Sequence, residues 1–178
     1  MYKAVDIANF FIDLANSDEE GYITNMKVNK LVYFAQGWSL VRYGRKLFDE
    51  NIEAWTHGPV IPSVYHAFKA YGKHNITAVH GKYDVDMFTA DDLDLLADVA
   101  LAYAKYDASE LRRMTHEPQS PWNQVYAERQ NNVISDDSIV ADLKTKDIMP
   151  KYNQSNVEYV GYRNQEGHLV LPKEWDEC

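Results

Sequence analysis

The sequence predicts a mainly α-helical protein: a helical bundle around one central buried helix, with short extended segments near 47–61 and a C-terminal β-hairpin. Three observations predict it. Up to about Leu143, apolar residues recur at three- and four-residue spacing, which gathers them on one side of a helix. One segment, Thr24 to Arg42, is apolar around most of its circumference, as a helix enclosed by others must be. The period shortens between Leu47 and Ile61, and again beyond Pro150.

Each element follows from its own residues. Ala4, Ile7, Ala8, Phe11, Leu14 and Ala15 form the stripe of a first helix, which should stop near Asn16-Ser17 before a polar turn. Thr24 is suited to cap the central helix and Gly44 to end it. Val28, Leu31, Val32, Phe34, Ala35, Trp38 and Val41 make its wide band. Gly37 inside that helix costs about 1 kcal/mol relative to Ala, so another element is expected to approach closely there.

Leu47-Phe48, Ile52, Ala54 and Trp55 read as extended pieces around an Asp49-Glu50-Asn51 turn, and Gly58-Pro59 then breaks the chain. Pro62 opens a short helix with Val64, Tyr65 and Phe68, ended by Gly72. Residues 73–88 carry no clear period. Thr89 caps a helix with Leu93, Leu96, Ala97, Ala100, Leu101 and Ala104, and its early acids Asp91, Asp92 and Asp94 suit the positive end of the helix dipole. Ser109, Ser120-Pro121 and Ser135 are expected to open the three remaining helices. Val157, Tyr159 and His168 to Leu171 flank Asn164-Gln165-Glu166-Gly167, a hairpin pattern after the polar linker Lys151 to Asn156. The division is a helical domain over 1–149 and a linker with hairpin extension over 150–178.

A chain of 178 residues suits one domain with its own core. The net charge is −9, and Arg112-Arg113 is a pair rather than a basic stripe, so nucleic acid is not the expected partner. No apolar run has the length of a membrane span, and an acid at Asp6 comes too early for a signal peptide. The single Cys178 allows no internal disulfide. A reducing cytoplasm is the expected compartment.

No catalytic residue and no cofactor is expected. Walker A, GxGxxG and GxSxG patterns are absent. The histidines at 57, 66, 74, 80, 116 and 168 include no pair at i, i+4 spacing, and His116-Glu117 lacks the second His of a zinc protease motif, so no metal site is expected.

Two constellations stand out. Ile52-Glu53-Ala54-Trp55-Thr56-His57-Gly58-Pro59-Val60 packs a Trp, a His and a rigid turn into a few residues. Thr115-His116-Glu117-Pro118 with Ser120-Pro121-Trp122 joins two helices through two prolines and a Trp. Each reads first as a buried aromatic pinning a change of chain direction, with its His bonded to protein groups. The second reading is a small-ligand or enzyme pocket formed from both.

Together with Asn29-Lys30-Leu31-Val32-Tyr33-Phe34-Ala35-Gln36-Gly37-Trp38 and Leu47-Phe48, these segments resemble, in order and spacing, the Panacea antitoxin domain. This is also called the SocA-like family and includes prophage-encoded GepA-type proteins. The resemblance spans roughly residues 4 to 145. It implies an antitoxin encoded beside a cognate protein toxin and neutralising it by direct binding. One branch of the family instead delivers its toxin to the ClpXP protease, so a ClpXP-type protease is an implied partner in that mode. The shared residues Lys30, Tyr33, Trp38, Trp55, His57, Pro59, His116, Glu117 and Trp122 are assigned to fold maintenance first and to a functional pocket second. Tyr159, Tyr162, Arg163 and Trp175, beyond the resemblance, are of types enriched at binding hot spots and are expected to contact the partner.

Overall fold

The computed structural model describes residues 1–18 and 21–149, and the backbone of 162–163 and 169–170. Within these, α1 (Ala4–Asn16) turns Ala4, Ile7, Ala8 and Phe11 into the core. Thr24 caps α2 (Asn25–Tyr43) by accepting a hydrogen bond from the Lys27 N–H, and Gly44 ends it at φ 66°. Every residue from Val28 to Ser39 is buried. Around α2 pack α1, α3 (Pro62–Phe68), α4 (Ala90–Tyr103), α5 (Ala108–Thr115) and α7 (Asp136–Leu143).

The buried polar residues of α2 satisfy backbone that has no ladder of its own. The Gln36 side-chain oxygen accepts from the N–H groups of Leu47 and Phe48, and its amide nitrogen donates to the Phe48 carbonyl at 2.8 Å. Asn29 Oδ1 accepts from the Ile61 N–H at 3.1 Å. The irregular segment between the first two helices and α3 is thereby fastened to the centre of the molecule.

β1 (Glu53–Trp55) and β2 (Gly58–Val60) form an antiparallel pair, with Ala54 opposite Pro59. On the other edge of β1, the Ala54 N–H donates to Asn132 and the Ile134 N–H to Ile52, both at 2.8 Å. A 3-10 turn over Lys69–Tyr71 follows α3. The segment of 73–88 without a clear period closes over the core with Ile76, Val85 and Phe88, and buried Asn9 exchanges two hydrogen bonds with the His80 backbone. The close approach expected at Gly37 comes from α7: a Cβ there would lie 2.4 Å from Leu143 Cδ1 and 2.7 Å from Ile139 Cγ2.

Thr89, Ser120 and Ser135 cap α4, α6 (Pro121–Val125) and α7. Two expectations are corrected. The cap of α5 is Asp107 rather than Ser109: its carboxylate accepts from the N–H groups of Ser109 and Glu110, and Glu110 accepts in return from the Asp107 N–H. Asp92 does more than complement the dipole of α4. It is buried and accepts from Tyr2, Thr89 and Arg45 at 2.7–2.8 Å, tying the chain's N-terminal end to α4.

Among the described residues no helix is long and apolar enough to cross a membrane. The hairpin expected near the C-terminal end lies mostly outside the described residues; within it, Tyr162–Arg163 pairs antiparallel with Leu169–Val170.

Candidate functional site

The two sequence constellations meet. Ser120 and Pro121 set the first turn of α6, with the Ser120 hydroxyl donating to the Thr115 carbonyl at 2.8 Å. That turn buries Trp122 and aims its indole N–H at the Trp55 carbonyl, 2.7 Å away. The His116 ring lies against Trp122 with centroids 3.7 Å apart, and Tyr126, one turn on, stacks on Trp122 at 4.5 Å. His116 Nδ1 is 2.7 Å from the Arg112 carbonyl oxygen, which assigns the proton to Nδ1. Its Nε2 is buried, and the Thr56 backbone acts on the ring as a second hydrogen-bonding neighbour. Burial lowers the His116 pKa, and the Arg112 charge adds to that.

Lys30 reaches this junction from α2. It is fully buried, and its ammonium donates to the Pro59 carbonyl at 2.9 Å. Burial, with the Arg112 charge acting in the same direction, pushes its pKa down to about 7. Gly58 makes room for it. At φ 103°, a Cβ on residue 58 would sit 2.8 Å from both Lys30 Nζ and Thr115 Oγ1. Lys30, Gly58-Pro59 and Thr115-His116 are therefore one interlocked unit joining α2, the small sheet and α5.

The other sequence-selected residues separate. Trp55 is half-buried, with its indole donating to Glu53 at 2.7 Å and its ring set edge-on to Tyr65. His57 stands exposed in the β1–β2 turn, not enclosed by protein groups as the sequence suggested, because a two-residue turn leaves its side chain outside. Trp38 is core, donating to the Tyr103 hydroxyl at 2.9 Å. Tyr33 is buried against Phe34, and burial raises its pKa. Glu117 is exposed and pairs with Lys146. The side chains of Tyr159, Tyr162, Arg163 and Trp175 lie outside the described residues.

Beside the junction is a cleft of about 610 Å³, with Trp55, His57, Tyr65, Lys69, Tyr126 and Arg129 in its walls. The sequence reading missed Tyr126, whose signal is its place one helical turn beyond Trp122, and Lys69 and Arg129, which carry no local signal. The enclosed Lys30 ammonium holds the small sheet to α2 through the Pro59 carbonyl.

The fold and this junction define the class: a mainly helical domain with a small antiparallel sheet locked between helices. The family model of the Antitoxin SocA-like, Panacea domain matches residues 28–123, from within α2 through Trp122, and the chain belongs to that family. It is 33% identical over 126 residues to Antitoxin SocA of Caulobacter vibrioides (strain NA1000 / CB15N), a match covering 66% of each protein. No solved structure matches.

Proposed function

We propose that this chain is an antitoxin that neutralises a cognate protein toxin by direct binding. The observation that carries the reading is the family match over residues 28–123, the stretch that contains the whole Lys30–Pro59–Trp122 junction. An interlocked junction supports a rigid scaffold, which lowers the ordering cost of binding. A net charge of −9 supports fast association with a basic partner. In this reading residues 1–149 are the scaffold and 150–178 an extension contributing Tyr159, Tyr162, Arg163 and Trp175 to the contact. The chain works in the cytoplasm, without cofactor, membrane or nucleic acid. Its mode is inhibition in place, or delivery of the toxin to a ClpXP-type protease.

The test is co-expression with the small reading frame beside its gene. Growth arrest by that product alone, relieved by this chain, is the expected result; arrest unrelieved by the chain overturns the reading. Toxin abundance separates the modes. A steady level marks inhibition, and a short half-life that lengthens when the protease is removed marks delivery.

A second reading, a small-ligand pocket, is favoured by the cleft, whose 610 Å³ falls in the usual range for such sites. A metabolite that raises the melting temperature, with no neutralisation of the neighbouring product, would establish it instead.

A further inference from the structure

The cations of this acidic chain are unevenly distributed. The 610 Å³ cleft adjoins a second, of about 600 Å³, and the two share Met26 and Gly72. Together they form one groove over the start of α2, between the end of α3 and the start of α5. Lys27, Lys30, Lys69, Lys73, Lys105 and Arg129 line it, against one carboxylate, Asp107. The whole chain holds 18 Lys and Arg against 27 Asp and Glu, yet among the described residues six of the former and one of the latter line the groove. Asp107 is occupied in capping α5. Glu110 also acts on Lys27, but is itself held by the Asp107 N–H. Lys69, Lys73, Lys105 and Arg129 are exposed. Among the described residues Arg129 pairs with Glu128 at 3.6 Å, with both side chains in water, where such a pair holds weakly. Lys27 donates to the Ala104 carbonyl and supplies field rather than contact, and Lys30, enclosed and partly neutral near pH 7, adds less. Between the charges stand exposed Tyr22 and Tyr65 and half-buried Trp55 and Tyr126.

We infer that this groove docks an extended acidic segment of the protein partner, carboxylates on its exposed lysines and arginine and an apolar or aromatic side chain against Trp55 and Tyr65. The inference rests on the antitoxin reading for the partner's class. Charge complementarity selects the occupant. A nucleic acid backbone would meet the groove's cations but would also meet the field of the remaining chain, more negative still than −9, and its affinity depends on neutralising many phosphates. A short acidic peptide places its charge only where the groove is positive.

The test uses the full chain and the double reversals Lys69→Glu with Arg129→Glu and Lys73→Glu with Lys105→Glu, with Lys144→Glu on another face as control. A fluorescent Asp/Glu-rich peptide containing one Trp should bind in a salt-sensitive manner, and each double reversal should weaken it at least tenfold while Lys144→Glu does not. Equal binding of a Lys-rich peptide of the same length, or tighter binding of an oligouridylate, overturns the inference. So does a large gain in peptide affinity on Glu174→Gln with Asp176→Asn and Glu177→Gln, which would assign the groove to the chain's own acids. With the neighbouring toxin, the double reversals should lose neutralisation at unchanged melting temperature. Retained neutralisation overturns the groove and leaves the antitoxin reading standing. If the unaltered chain neutralises nothing, the antitoxin reading fails and the partner occupancy with it, whatever the peptide does.

Discussion

The indole of Trp122 donates its N–H to the backbone carbonyl of Trp55 at 2.7 Å, across 67 residues of chain. That bond fixes the first turn of α6 to the end of β1, and the His116 ring lies against the same indole. Trp122→Phe keeps most of the apolar contact but leaves the carbonyl without its donor. The expected loss is about 0.5–1.5 kcal/mol, the net contribution of a typical hydrogen bond. Denaturant unfolding measures it, and an unchanged midpoint would show that the bond contributes nothing.

Gly37→Ala opposes two effects of known size. Helix propensity favours alanine by about 1 kcal/mol. The new Cβ would stand 2.4 Å from Leu143 and 2.7 Å from Ile139, and overpacking of that kind typically costs about 1–3 kcal/mol. The variant should be less stable, and Leu143→Ala in its background should cost less than Leu143→Ala alone, because the two changes share one space. A Gly37→Ala protein more stable than the parent would show that α7 yields freely.

What the sequence made legible was local or periodic. Thr24, Thr89, Ser120, Ser135 and Gly44 act within a few residues of themselves, so their capping roles are visible without tertiary structure. The apolar band of α2 announces its burial, and Gly37 announces a close neighbour. The identities of partners were not legible. Gln36 and Asn29 hold backbone groups in another segment, and Asp92 meets residues from two distant stretches. Asp107 and Ser109 are both good caps and lie two residues apart, so local sequence does not separate them. The groove cations come from separate elements and form no run, so a sequence scan for basic clusters passes over them.

Lys30 gives the protein a pH dependence of definite sign. Its folded pKa is about 7, below the ordinary value of 10.5, so the unfolded chain binds more protons between those values. Stability therefore rises with pH across that window, as the penalty of burying the ammonium is relieved. His116, also lowered by burial, adds a slope of the same sign just below the ordinary imidazole value of 6.5. Lys30→Met removes the charge and the bond to Pro59 together. It should flatten the rise in melting temperature from pH 7 to 10. A slope unchanged in Lys30→Met would mean that another group sets it.

Ending the chain after Pro150 tests the proposed role of residues 151–178. The expected outcome is loss or marked weakening of toxin binding, with helical signal and cooperative melting retained. Binding that survives undiminished removes Tyr159, Tyr162, Arg163 and Trp175 from the contact. Loss of cooperative melting would instead make the segment part of the core.

The central claim, neutralisation by direct binding, is tested most directly by titrating the purified chain into its purified cognate toxin while measuring both complex mass and toxin activity. The account predicts a complex of fixed stoichiometry, with toxin activity falling in proportion to its formation when no protease is present. Full toxin activity within a saturated complex, or neutralisation in cells with no complex in solution, would contradict it.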